Sequence, residues 1–93
     1  MYMIVLELNN PTKDYADLER AIKALGNWSN RMRNMWMVET RFTPAQIRNL
    51  LKPTLVAGSD RLFVTRMTTS WAGTGMGEGF QDWMNRRKFT AAK

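Results

Sequence analysis

Ninety-three residues with 44% apolar and 24% charged side chains make an ordinary globular mix that feeds one core and excludes both a two-domain enzyme and wholesale disorder. The absence of Cys and His excludes a disulfide framework, thiolate chemistry, His-based triads and the commonest zinc ligand. Fourteen Lys and Arg against eight Asp and Glu give a net charge of +6, a field that attracts phosphates.

Tyr2 to Leu8 is a short apolar run ending at the turn cluster Asn9-Asn10-Pro11, which predicts a buried strand. Asp14 can cap a helix whose apolar side is Tyr15, Leu18, Ile22 and Leu25, with Glu19 and Lys23 paired at i, i+4 and Gly26 at the exit. Between Trp28 and Arg41 the sequence alternates, with Trp28, Asn30 and Met32 opposite Ser29, Arg31 and Arg33, then Trp36 and Val38 opposite Met35, Met37 and Glu39. This pattern predicts a hairpin turning near Arg33-Asn34, with Arg31 and Arg33 exposed together. Thr43-Pro44-Ala45-Gln46 is a capped helix start, and Ile47, Leu50 and Leu51 form its apolar stripe. Pro53 ends or kinks that helix, and Gly58-Ser59-Asp60 turns the chain into a strand over Leu62 to Met67.

From Trp71 to Gly79 the chain is punctuated by glycine, a loop that holds no regular element. Phe80, Trp83, Met84 and Arg87 recur at helical spacing and predict a short terminal helix before a basic tail. No apolar run reaches the ~18 residues that span a bilayer, and Met1–Leu8 lacks the basic flank and length of a signal segment. These features predict a cytoplasmic protein with no membrane partner.

The element order βαββαβ, with helices on one face of an antiparallel sheet, is the ferredoxin-like α+β arrangement. The predicted organisation is a ferredoxin-like domain over residues 1–70, with the Gly-rich loop, C-terminal helix and basic tail over 71–93 packed on it. Three stretches carry a further likeness: Tyr2-Met3-Ile4-Val5-Leu6-Glu7-Leu8-Asn9, Gly26-Asn27-Trp28, and Trp36 to Ile47 with its Val38-Glu39-Thr40-Arg41-Phe42-Thr43-Pro44 centre. Together they resemble the small, non-integrase CRISPR adaptation subunit and its relatives, the virulence-associated protein D family and the orphan SinR-like proteins. The SinR-like branch also has counterparts of Trp71-Ala72-Gly73 and of the terminal helix. The resemblance implies a homodimer joined through the sheets and the last strand. In catalytic relatives it implies an acid at the end of the first strand, from both subunits, holding a divalent metal for phosphodiester cleavage. Glu7 stands at that position, where the family pattern has Asp, and its other reading is an acid at a strand end paired with an Arg.

The charge is concentrated in two blocks. Residues 31 to 52 hold five basic and one acidic side chain, residues 86 to 93 hold four basic and none acidic, and the remainder sums to −2. Arg31, Arg33, Arg41, Arg48, Arg86 and Arg87 present planar forks suited to phosphate oxygens. Trp28 and Trp71 are candidate stacking surfaces, although tryptophans in a small fold are more often core or dimer-interface residues. Gly73 and Gly75 lie in a loop that is either a connector or a clasp whose N–H groups meet an anion. The expected function is a non-catalytic basic homodimer binding nucleic acid or a nucleic-acid-bound protein. A homo-oligomeric sponge for a small signalling nucleotide, a role suited to viral counter-defence, is one alternative. A weak nuclease using Mg2+ at Glu7 is the other, and without it no cofactor or metal is expected.

Overall fold

The computed structural model describes residues 1–89. In strand β1 (Tyr2–Glu7), Tyr2, Ile4 and Leu6 are buried on one side and Met3 and Val5 half-buried on the other, because successive strand side chains point to opposite faces. Helix α1 (Ala16–Lys23) begins where Asp14 Oδ1 accepts the Ala16 N–H at 3.0 Å, and it buries Leu18 and Ile22. The predicted hairpin forms as β2 (Asn27–Met32) and β3 (Met35–Glu39), turning at Arg33-Asn34.

Helix α2 (Pro44–Leu51) carries the predicted capping box. Thr43 Oγ1 accepts the Gln46 N–H at 3.2 Å, and the Thr43 N–H donates to Gln46 Oε1 at 2.9 Å. Ile47 and Leu51 are fully buried, but Leu50 is 48% exposed and lies outside the stripe expected of it. Pro53 sits in a single 3-10 turn, Lys52–Thr54, that continues the helix before the chain leaves it. Strand β4 (Arg61–Arg66) and the short helix α3 (Phe80–Asn85) complete the described elements, and residues 67–79 contain neither helix nor strand.

All strand pairs are antiparallel, in the order β2-β3-β1-β4. The described residues form a small α+β arrangement of three α-helices and a four-stranded antiparallel sheet, consistent with a ferredoxin-like fold. No helix among the described residues is long and apolar enough to cross a membrane.

The two sheet faces are built from different side chains. On one, Tyr2, Ile4, Leu6, Trp36 and Val38 pack against Leu18, Ile22, Ile47 and Leu51 of the two long helices. On the other, Met35 and Met37 meet Phe80 and Met84 of α3, with Trp71, Trp83 and Phe89 beside them. All eight methionines of the chain lie on this second face. Branched residues with few rotamers fill the first core; flexible thioethers, which fill irregular gaps, bed the C-terminal segment on the second.

Asp60 ties the loops at one end of the sheet together. Its carboxylate accepts hydrogen bonds from the Asn9 N–H, Asn10 Nδ2, the Tyr15 hydroxyl and the Val56 N–H, each at 2.9 Å. Desolvation pushes this carboxyl upward, but the Val56 and Asn9 N–H groups and the Tyr15 and Asn10 side chains outweigh it and bring the pKa down to about 2. A carboxyl depressed on folding adds stability above its ordinary pKa, and that contribution is lost as pH falls toward the folded value. The gap in Tm between the native chain and Asp60→Asn is therefore expected to be full at pH 5 and to close between pH 4 and about 2. Thermal melts of both chains that keep a constant gap down to pH 2 would contradict this.

Candidate phosphate-binding cleft

The strand registers sort the candidate arginines to different places. At one end of the sheet Met32 pairs with Met35 and Glu7 with Arg61; at the other, Asn27 pairs with Glu39 and Tyr2 with Arg66. The two ends are separated by the length of a five- to six-residue strand, roughly 17 Å.

The first end carries Arg33 in the hairpin turn, exposed, and Glu7. Glu7 Oε1 lies 3.3 Å from Arg61 Nε in an exposed ion pair. This is the pairing with an Arg that the second reading of this acid describes. Among the described residues no three His, Cys, Asp or Glu side chains group as metal ligands.

The alternation expected for β2 breaks midway. Ser29 faces Met37 and is buried, and the register shifts between Ser29 and Met32, so Arg31 lies in an irregular stretch of the strand. Arg31 and Arg33 are thus not an exposed pair on one strand face. The Arg31 guanidinium turns to the C-terminal segment, where Nη2 donates to the Glu78 carbonyl at 3.2 Å and Cζ stands 6.0 Å from the centre of the Phe80 ring. Gly77, at φ +97°, passes so close that a Cβ there would fall 2.8 Å from Arg31 Nη1. The left-handed backbone selects glycine at that position, while the Arg31 tip, the far end of a flexible side chain, could move aside.

At the Glu39 end the two basic blocks meet. A cleft of about 520 Å³ is lined by Asn27, Glu39, Thr40, Arg41, Arg86, Arg87 and Lys88, together with Met1. Arg66 is at the same end, opposite Tyr2 in the sheet. The single acid in the lining is already occupied. Glu39 Oε1 accepts from Asn27 Nδ2 at 2.9 Å and from Arg87 Nη1 at 3.3 Å, and Oε2 accepts the Lys88 backbone N–H at 2.5 Å. Burial pushes the Glu39 carboxyl up, but the Lys88 N–H, the Asn27 amide and the Arg87 guanidinium outweigh that and hold it below its ordinary value. Arg41, Arg86 and Lys88 line the cleft, are exposed, and have no ion-pair partner among the described residues.

Arg87 has a structural position. Its side chain is 12% exposed, paired to Glu39, with Nε donating to the Trp83 carbonyl at 3.2 Å and Cζ 4.9 Å from the centre of the Trp83 ring. Arg48 stands apart on α2, where Nε donates to Asn49 Oδ1 and the side chain borders a groove with Leu62, Phe63 and Val64 of β4. Trp28 packs its ring on Trp36 at 5.4 Å, at the outer edge of the helix-covered face. Lys23, expected to pair with Glu19, instead places its ammonium 4.8 Å from the centre of the Trp28 ring. Trp71 is half-buried, edge-on to Phe80 at 5.8 Å. Gly73 lines a second cleft beside Trp71, and Gly75 takes a left-handed turn at φ +70°.

Of the arginines singled out in the sequence, the fold brings Arg41, Arg86 and Arg87 together and leaves Arg31, Arg33 and Arg48 elsewhere. Asn27, Thr40 and Lys88 line the cleft with the three, and Arg66 lies at the same end of the sheet; of these four only Lys88 carried a charge signal in the sequence, its place in the terminal basic block. No protein-family model, curated protein or solved structure matches this chain.

Proposed function

We propose that this protein is a non-catalytic, homodimeric binder of phosphate-bearing ligands, nucleic acid foremost, and that the cleft at the Glu39 end receives the phosphate. The observation that carries this reading is the convergence of Arg41, Arg86 and Lys88, from segments more than forty residues apart, around an acid whose oxygens are already engaged. Cations gathered by the fold with no free counter-charge present donors to an incoming anion.

The second copy in this reading is supported by β4. It is an edge strand, and at its centre Phe63 is 65% exposed on the half of the sheet face away from α3. An unpaired edge with a large apolar side chain is a surface that another chain covers well.

The test is a salt titration of single-stranded oligonucleotide binding with the native chain and with Arg41→Glu/Arg86→Glu, with the mass measured by light scattering in each buffer. A dimer of 10.8 kDa chains is expected, with affinity that falls steeply with salt and drops about a hundredfold or more in the double variant. Both arginines are exposed, so its Tm should change little. A monomer, or a folded variant that binds as well as the native chain, would overturn the reading.

A further inference from the structure

On the sheet face away from the two long helices, α3 and the loop before it close over a cavity of about 480 Å³, and seven of the eight methionines line it. The chain has no Cys, so these thioethers are its only oxidisable sulfur. They stand at graded depths. Met32 is 50% exposed, Met35, Met67 and Met76 are half-buried against the cluster of Met37, Phe80 and Met84, and Met37 and Met84 themselves are buried.

We infer that Met35, Met67 and Met76 form a reversible oxidation site, and that a hydroperoxide acting there releases the C-terminal segment. One oxygen passes from the peroxide to a methionine sulfur: the O–O bond breaks, an S–O bond forms, the sulfur gives up two electrons, and the peroxide leaves as water or an alcohol. A methionine sulfoxide reductase reverses the step, removing the oxygen as water while a dithiol becomes a disulfide. That reductant comes from outside, since the chain has no thiol.

The lining makes the bed sensitive. A sulfoxide oxygen is an acceptor that requires a donor or water, and among the described lining residues the only side-chain donors are the Thr74 hydroxyl and the Trp71 indole N–H. Two donors do not serve three sulfoxides. Met76 is hemmed in further, because a Cβ on Gly73 would lie 3.1 Å from its Cγ. Above the bed the segment has no sheet ladder to hold it: α3 is six residues long, and residues 67–79 contain neither helix nor strand. Undocking hydrates every sulfoxide at once and is the cheaper response. Access begins at Met32, which is exposed and pairs across the hairpin with Met35. Met37 and Met84 are uncovered only by release, so their oxidation follows it. The release stands apart from the phosphate reading above; its effect on binding rests on that reading, since Arg86 and Lys88 leave Arg41 when the segment lifts.

The test adds hydrogen peroxide to the native chain, maps oxygen uptake by peptide mass spectrometry and follows amide exchange of residues 80 to 88. Uptake is expected at Met32 first and then at Met35, Met67 and Met76. Exchange of residues 80 to 88 should rise about tenfold or more with the second group, leave Ile4 and Val38 unchanged, and return to its starting value with methionine sulfoxide reductases A and B and dithiothreitol, both enzymes being needed for the two sulfoxide epimers. Met35→Leu/Met67→Leu/Met76→Leu conserves volume and should keep its segment docked through the same treatment while Met32 still oxidises. If leucine loosens the bed by itself, reversal by the reductases in the native chain decides. Uptake at the three positions with no rise in exchange would make the methionines mere scavengers and overturn the proposal, as would uptake confined to Met32 or a rise that persists in a docked triple variant. Inorganic phosphate titrated into the oxidised chain is expected to bind at least about fivefold more weakly than to the reduced one. A released chain with full phosphate affinity overturns that link, and a reduced chain that binds no phosphate sinks the phosphate reading while the exchange result still judges the bed.

Discussion

Gly26→Ala is expected to lower the unfolding free energy by more than about 3 kcal/mol, a large share of the 5–15 kcal/mol of an ordinary domain. A Cβ at Gly26 would lie 2.1 Å from the Glu39 carbonyl oxygen and 3.2 Å from its carbonyl carbon. Both are backbone atoms, held by the pairing of Asn27 with Glu39 one residue on, so no side-chain rotation relieves the clash. Either the start of β2 leaves β3 or the hairpin shifts as a body, and both break the ladder on which Trp28 and Ser29 depend. Gly58 supplies the control. At φ +86°, with nothing within 4 Å of a built Cβ, its replacement by alanine carries only the conformational cost of a left-handed residue, about 1 kcal/mol. Urea denaturation of the two variants measures the difference. A Gly26→Ala chain within 1 kcal/mol of native would show that the approach of β2 to Glu39 is not needed for stability.

The same glycine shows how far the sequence could be read. At Gly26 the sequence signals a helix exit, and the helix does end just before it, but the residue is glycine because two backbones touch there, a contact between segments that no local pattern encodes. Local signals were legible. The Thr43-to-Gln46 capping box, the Arg33-Asn34 turn and the alternation of Trp36 and Val38 against Met35 and Met37 each depend on residues within a few positions of one another. What alternation did not show was what covers each face. Arg31 shares the side of Ser29 and Met37, which α3 occupies, so its guanidinium meets the Phe80 ring; the register shift after Ser29, one extra step in the strand, sets Met32 rather than Arg31 opposite Met35.

The cleft was legible as two blocks of charge and illegible as an arrangement. Counting signs finds Arg41, Arg86 and Arg87 together with Arg33 and Arg48, since charge says nothing of which end of a sheet a residue occupies. The separation depends on register and on where α3 docks. Register gave Arg66 its place opposite Tyr2; docking against Met37 brought residues 86 to 88 to Glu39. Eight methionines signalled adaptable packing, and their confinement to one face became visible only once strand alternation assigned Met35 and Met37 to the side opposite Trp36 and Val38.

Glu39→Ala should detach the C-terminal segment while leaving the helix-covered core intact. Three donors converge on this carboxylate, from β2, from the Arg87 side chain and from the Lys88 backbone. The Arg87 side chain is 12% exposed and that of Glu39 22%. Removing the acid leaves a guanidinium with its charge unpaired and little water to replace the partner, which costs about 3 kcal/mol when the segment stays in place. Residues 80 to 89 rest on a bed of methionine and aromatic side chains rather than on a sheet ladder, so release of the segment is the cheaper response. Amide exchange of residues 80 to 88 is then expected to rise by an order of magnitude or more, with Ile4 and Val38 unchanged, and the uncovered methionine face should bind an apolar dye. Glu39 titrates below its ordinary value in the fold, so its contribution is present at neutral pH and lost as pH falls through the carboxylate range. The native chain at low pH should therefore approach the variant at pH 7, and exchange in Glu39→Ala that matches the native chain at neutral pH would refute the anchor. Binding should fall with docking, because release of the segment carries Arg86 and Lys88 away from Arg41. A variant with a freed segment and full affinity for phosphate would mean that the anion is held without Arg86 and Lys88, and would overturn their part in the cleft.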